Sequence, residues 1–312
     1  MGPLRAPAGE HLDLGGDQGS GARCLGAGSS IAPRARKSPT GRTIGESLRE
    51  YGRGVAGGLL FSLPLLYTGE VWWAGFTMEP PRQLAYLVTT FVLLLGYNRY
   101  AGLHPDTSWV EVAIDSVEEL GIGLLLSALI LYTLGRIGPD QHIDEVLGSI
   151  VVQAMTIAIG VSVGTAQLGG GQTDSGMAGT DKVAFGGQLV LACCGAVLFA
   201  ANVAPTEEVM VLGTDMSPLR LLAATLISFS LGAIILHYSD FRGADRWVRA
   251  DSLTEVLRGA IVTYAVALVV SAAILWLFGR MDDVGLTIIV GQTVVLGLPA
   301  TLGASAGRLL LQ

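Results

Sequence analysis

Residues 63–85 read LPLLYTGEVWWAGFTMEPPRQLA, and residues 200–223 read AANVAPTEEVMVLGTDMSPLRLLA. At a constant offset of 138, Thr68 meets Thr206, Glu70 meets Glu208, and Val71 meets Val209. Gly75/Gly213, Met78/Met216, Pro80/Pro218, Arg82/Arg220, Leu84/Leu222 and Ala85/Ala223 follow in the same register. With Leu60/Leu198, Phe61/Phe199 and Phe91/Phe229, there are 12 identities in the 32 gap-free positions 60–91. Random pairing of sequences this biased gives roughly 10% identity and does not favour Pro, Arg, Glu and Met together.

The correspondence continues down the chain. Trp109-Val110 matches Trp247-Val248 at the same offset, and Asp115-Ser116 with Glu119 matches Asp251-Ser252 with Glu255 at offset 136. SALILYTLGR from Ser127 matches SAAILWLFGR from Ser271, and Gly160, Ser162 and Gly164 match Gly303, Ser305 and Gly307. The chain reads as a tandem duplication, with a few extra residues in the second copy.

Composition says what was duplicated. The 312 residues are 51% hydrophobic and 14% charged, with mean hydropathy +0.55, whereas a soluble domain carries about 25% charged residues. Eight apolar stretches fall at about 54–76, 84–101, 112–135, 146–168, 184–205, 220–237, 256–278 and 285–306. Most are near the length that crosses a ~30 Å hydrocarbon layer as helix. The fold class is therefore all-α, a polytopic transmembrane bundle of about eight spans. It comprises two four-helix repeats, 42–168 and 183–312, each entering from the same side. Two such repeats are related by a pseudo-twofold along the membrane normal. Glycine pairs such as Gly160/Gly164 and Gly303/Gly307 permit close packing of spans four and eight.

Residues 1–41 are rich in Gly, Pro, Ser and Arg without apolar periodicity, the pattern of a disordered tail. The Gly-rich stretch 169–182 reads as a linker. Lys and Arg set the orientation. With the N-terminus inside, that side receives Arg49, Arg53, Arg99, Lys182, Arg242, Arg246, Arg249, Arg258 and Arg308. The other side receives Arg82, Arg136, Arg220 and Arg280. The positive-inside rule places both termini in the cytoplasm. Trp72, Trp73, Trp109, Trp247 and Trp276 lie near span ends, as an aromatic belt requires.

The paired acids are the functional candidates. Glu70 and Glu208, with Glu207 and the threonines Thr68 and Thr206, sit near the outer end of their spans. An ionised carboxylate at the centre of a membrane helix costs at least ~2.5 kcal/mol. Each acid should therefore face water, a cation or the bundle interior, or pair at the outer interface with Arg82 and Arg220. A secondary set, Asp115 and Glu119 repeated as Asp251 and Glu255, occupies the inner end of spans three and seven. Glu111, Asp115 and Glu119 fall on one helix face. Ser116-x-x-Glu119 and Ser252-x-x-Glu255 also fit a capping box at a helix start. If the helix begins near Trp109 instead, the stripe is buried and could line an inner vestibule.

Other chemistries find little support. The three cysteines and four histidines have no metal-ligand spacing, so neither a metal site nor a cofactor is expected. Enzymatic motifs such as His-Glu-x-x-His and Gly-x-Ser-x-Gly do not occur. Met281-Asp282-Asp283 reads as a solvated loop. With a net charge of −7 and no basic, aromatic-interleaved patch, nucleic acid is not an expected partner.

LPLLYTGEVWW followed by NVAPTEEVMVLG resembles a bacterial family of integral membrane proteins of unknown function, over about residues 45–311. The resemblance implies a location in the bacterial inner membrane but supplies no activity or site. Thr-Glu-Glu after Ala-Pro is faintly similar to the acidic repeats of sodium/calcium exchangers. Those repeats are inverted and differ in their flanking glycines, so no exchanger function carries over. The leading expectation is a transporter or channel for a cation or protons, and the alternative is a structural, assembly or sensory membrane protein. Its partners would be the lipid bilayer and a small cation or proton, with homo-oligomerisation left open.

Overall fold

A computed structural model describes residues 44–101, 108–168, 185–238 and 253–310. Among the described residues the secondary structure is helical, without strands. Five helices lie in the first part: α1 (Ile44–Leu66), α2 (Gly69–Thr77), α3 (Pro80–Ala101), α4 (Trp109–Thr133) and α5 (Ile143–Gln167). Five lie in the second: α6 (Phe185–Val203), α7 (Glu207–Asp215), α8 (Pro218–Tyr238), α9 (Leu253–Leu277) and α10 (Leu286–Leu310). The proposed tail and linker fall outside the described residues.

Five helices are long and apolar enough to cross a membrane, namely α5, α6, α8, α9 and α10, and a sixth span arises if the bent pair α1–α2 is one. Helices also occupy the third and second expected stretches. However, α4 carries Glu111, Asp115, Glu118 and Glu119 in its first three turns, and α3 is bounded by Arg82 and Arg99.

The expected first span is not one rod. After Leu66 the chain turns by 88° and starts the short helix α2. Pro64 accounts for part of this, since its ring opens the preceding turn and removes a donor. The next backbone pair is bridged from another helix. Leu65 N–H donates to Asn202 Oδ1 at 3.1 Å, and Asn202 Nδ2 donates to the Phe61 carbonyl at 3.1 Å. One side-chain amide from α6 thus replaces both a donor and an acceptor in α1. At the corresponding point of the second part, Pro205 helps end α6 by disfavouring helix at Ala204. Pro80 and Pro218 then open α3 and α8, where a helix has no use for their missing N–H.

Helix α5 is the centre of the first part and packs on α1, α2, α3 and α4. All residues from Val152 to Gly164 are buried. Helix α10 packs in the same way on α6, α7, α8 and α9. Both central contacts depend on glycine. A Cβ on Gly57 of α1 would lie 2.5 Å from the Gly160 carbonyl oxygen and 2.5 Å from Gly164 Cα; one on Gly195 of α6 would lie 2.9 Å from Gly307 Cα. The glycine pairs noted in the sequence therefore seat α5 on α1 and α10 on α6. Helix α6 also touches α1, α3, α5 and α9, joining the two groups.

The outward surface is apolar. Leu219, Leu222, Leu226, Ile227 and Ile234 of α8, and Leu125 and Leu129 of α4, are exposed. Such a surface suits hydrocarbon rather than water. Trp73, Trp109 and Trp276 are exposed as well, as an aromatic belt requires.

Replacing Asn202 with Leu should leave the Leu65 N–H and Phe61 carbonyl without their bridge, each unsatisfied group costing about 1–3 kcal/mol. The expected result is a lower melting temperature in detergent micelles. Pro64→Ala in the Asn202→Leu background should recover part of it, and equal losses with or without Pro64 would contradict this account.

Candidate functional site

Two polar constellations stand out, one at the helix breaks and one within the bundle. At the breaks, both threonines turn back onto the helix they end. Thr68 Oγ1 donates to the Pro64 carbonyl at 2.6 Å, and Thr206 Oγ1 to the Val203 carbonyl at 2.9 Å. Each is the N-cap residue of the next short helix but makes no side-chain capping bond. Their hydroxyls satisfy carbonyls at the preceding break. The acids then open the short helices, Glu70 in the first turn of α2 and Glu207 and Glu208 in that of α7. Acids there suit the positive end of a helix dipole. Glu70 is half-buried, whereas Glu207 and Glu208 are exposed.

The cation at this end differs from the expected one. Arg82 and Arg220 were the anticipated partners of Glu70 and Glu208. Instead, Arg82 grips Asp282 in the α9–α10 connection, with Nη2 to Oδ1 at 2.8 Å. Arg220 is exposed and makes no ion pair among the described residues. Asp282 is therefore not simply a solvated loop residue.

Arg280 lies within electrostatic range of Glu207 and Glu70 and forms no ion pair with either. Burial lowers its pKa, opposed by the charges of Glu207 and then Glu70. Its guanidinium donates to the Pro205 carbonyl and sits 2.7 Å from Met210 Sδ. Glu207 and Glu70, rather than Glu208, are thus the acids whose charge acts on Arg280. Local geometry delivers that arginine. Gly279 adopts φ +70°, and the Arg280 N–H reaches back to the Leu275 carbonyl at 2.9 Å, forming a Schellman ending for α9. Gly135, at φ +66°, ends α4 in the same way and places Arg136 4.0 Å from the centroid of the Trp72 ring.

The second constellation lies in the interior. The capping box expected at Ser116-x-x-Glu119 is instead made by Ser108 and Glu111, because α4 starts two turns earlier. This leaves Ser116 and Glu119 well inside the helix. Asn98 Nδ2 of α3 donates to Glu119 Oε2 at 2.7 Å and lies 3.1 Å from Ser116 Oγ. Ser162 of α5 donates to Asn98 Oδ1 at 2.8 Å. Asn98, Ser116 and Ser162 are buried. Three helices thus converge on one carboxylate. The buried stripe is not continuous, since Glu111 and Asp115 are exposed on the same helix. Asp251 and the side chain of Glu255 lie outside the described residues.

Asn98 and Arg280 are the residues that sequence reasoning passed over as site partners. An amide inside the apolar run LLLGYNRY marks Asn98, and the recurring Leu-Gly-Arg and Phe-Gly-Arg endings mark Arg136 and Arg280. Among the described residues no group of His, Cys, Asp and Glu side chains could hold a metal ion.

A sequence model of a family described as putative integral membrane protein (DUF2391) matches residues 50–311, and the chain belongs to that family. No curated protein and no solved structure matches the chain.

The Arg82 guanidinium holds the Asp282 carboxyl below the usual carboxylate range, through its hydrogen bond first and its charge second. A depressed folded pKa adds stability above the unfolded pKa, near 3.9, that is lost as pH falls through the folded one. Thermal melting of Arg82→Gln should accordingly match wild type more closely below about pH 4 than at pH 7. A constant difference across that range would show that the pair contributes nothing through its charge.

Proposed function

On the premise that this chain is a member of that integral membrane family, we propose that it is a transporter or channel for a cation or for protons. The observation that carries this reading is Glu119, a carboxylate within a helix bundle, hydrogen-bonded by Asn98 and bordered by the buried Ser116 and Ser162. Ionisable side chains at such positions are costly and mark ion or proton paths. Gln153 of α5 adds support: it is wholly buried, and neither polar atom of its amide has a partner. Such an amide offers a donor and an acceptor to water or an ion.

The reading includes a duplicated architecture of eight spans, with both termini in the cytoplasm of a bacterial inner membrane. Several features support the duplication. The helices run 23, 9, 22, 25 and 25 residues in the first part and 19, 9, 21, 25 and 25 in the second. Arg136 lies against Trp72 as Arg280 lies against Met210, the residue 138 positions further on. Helices broken at corresponding points of two repeats are typical of transporter binding regions. In this scheme Glu70 and Glu207, with Arg280, form the outer approach to the path.

A second reading has its own support. Thr68 and Thr206 only satisfy carbonyls, and Arg280 offsets the charge of Glu70 and Glu207. Those bonds suit a structural, assembly or sensory membrane protein, whose acids anchor the breaks.

Proteoliposome flux separates the two. Glu119→Gln keeps an acceptor for Asn98 but removes the ionisable carboxyl, so proton or alkali-cation flux should fall on the order of tenfold, with melting temperature little changed. A folded Glu119→Gln protein with wild-type flux, or a wild-type protein that moves neither protons nor alkali cations, would overturn the transport reading.

A further inference from the structure

A basic side chain is buried in the second part. Arg308 of α10 is only 6% exposed. Its Nη1 donates to the Gly259 carbonyl at 3.0 Å and to Thr263 Oγ1 at 2.6 Å, and its Nη2 donates to Gln188 Oε1 at 3.1 Å. All three partners are neutral, and no carboxylate among the described residues pairs with it. Its Nε is buried without a partner. A guanidinium held this way retains both its charge and an unused donor.

Arg308 lines a cavity of about 110 Å³ between α6, α9 and α10. Arg258, Gln188 and Gly259 supply its polar wall, and Phe185, Leu189 and Val262 its apolar one. Phe185 and Leu189 are exposed on α6, so the apolar wall opens onto the surface that meets hydrocarbon. The cavity sits where α6 and α9 begin and α10 ends, away from the Arg280 end of the bundle.

We propose that this cavity binds the phosphate of an anionic phospholipid, with Arg308 and Arg258 facing the phosphate and an acyl chain lying along Phe185, Leu189 and Val262. A phosphate supplies the charge and the acceptors that Arg308 lacks, and guanidinium groups suit phosphate oxygens. Basic pockets between membrane helices recognise anionic headgroups in this way. The apolar wall favours a lipid over free phosphate, since inorganic phosphate has nothing to place there.

The test is native mass spectrometry of the full chain in detergent, titrated with phosphatidylglycerol, phosphatidylcholine or inorganic phosphate. Two arginines near a headgroup predict about a 30-fold preference for phosphatidylglycerol over phosphatidylcholine. Arg258→Gln, at an exposed position, should reduce that preference to about fivefold. Arg308→Gln should likewise reduce it to about fivefold or less. Because Arg308→Gln could also unfold the protein, Val262→Trp provides a second check. It should weaken phosphatidylglycerol binding and leave any phosphate adduct unchanged. Equal binding of the two lipids, or wild-type preference in both Arg258→Gln and Val262→Trp, would overturn the site. Saturation by inorganic phosphate that displaces phosphatidylglycerol, with no effect of Val262→Trp, would overturn the lipid assignment.

Discussion

A chain that breaks its helices inside an apolar bundle must find partners for every backbone group it frees, because hydrocarbon offers none. Much of the polar inventory at one end of this protein meets that demand. Asn202 bridges the opened turn at Pro64, while Thr68 and Thr206 return to carbonyls behind them. Trp72 Nε1 donates to the Leu66 carbonyl at 3.1 Å, and Arg280 takes the carbonyl of Pro205. The short helices α2 and α7 can leave their parent direction because these side chains satisfy the corner.

The same economy shapes the packing. Without a hydrophobic drive between helices in lipid, association relies on close backbone approach and interhelical hydrogen bonds. Glycine at Gly57, Gly160 and Gly164, and again at Gly195, Gly303 and Gly307, brings α5 onto α1 and α10 onto α6. Helix α5 is enclosed as a result, whereas α10 keeps part of its surface open, and both carry polar groups that a looser bundle would have left in lipid. Glu119 and Arg308 are tolerated on this basis. Each is hydrogen-bonded by neutral neighbours on adjacent helices. The first part thus encloses an acid and the second a base, a difference that similarity between their sequences conceals.

Much of this was legible in the residues. Apolar runs located most of the helices, and Pro80 and Pro218 marked two of their starts. The glycine pairs foretold close contacts, though not their partners, since periodicity identifies a face without saying what covers it. The breaks were harder to see. The stretch from Pro64 through Trp73 carries a single charge, Glu70, among apolar residues, so hydropathy runs a single span through a corner of 88°. The charge partners were misassigned for a related reason. Arg82 is near Glu70 in sequence, but its bidentate match is Asp282, 200 residues away. Such pairings depend on which connections meet in space. Ser116 and Glu119 had the spacing of a cap, but so did Ser108 and Glu111, and the earlier pair begins the helix.

The amide of Asn202 has a mechanical consequence. It ties the backbone of α1 to α6, beside the corners where both helices give way to α2 and α7. Displacing α1 lengthwise along α6 would tear two bonds where no solvent can replace them. Pivoting about the amide would keep both. The amide therefore fixes the register of α1 on α6, and with it the level at which α2 and α7 leave the bundle.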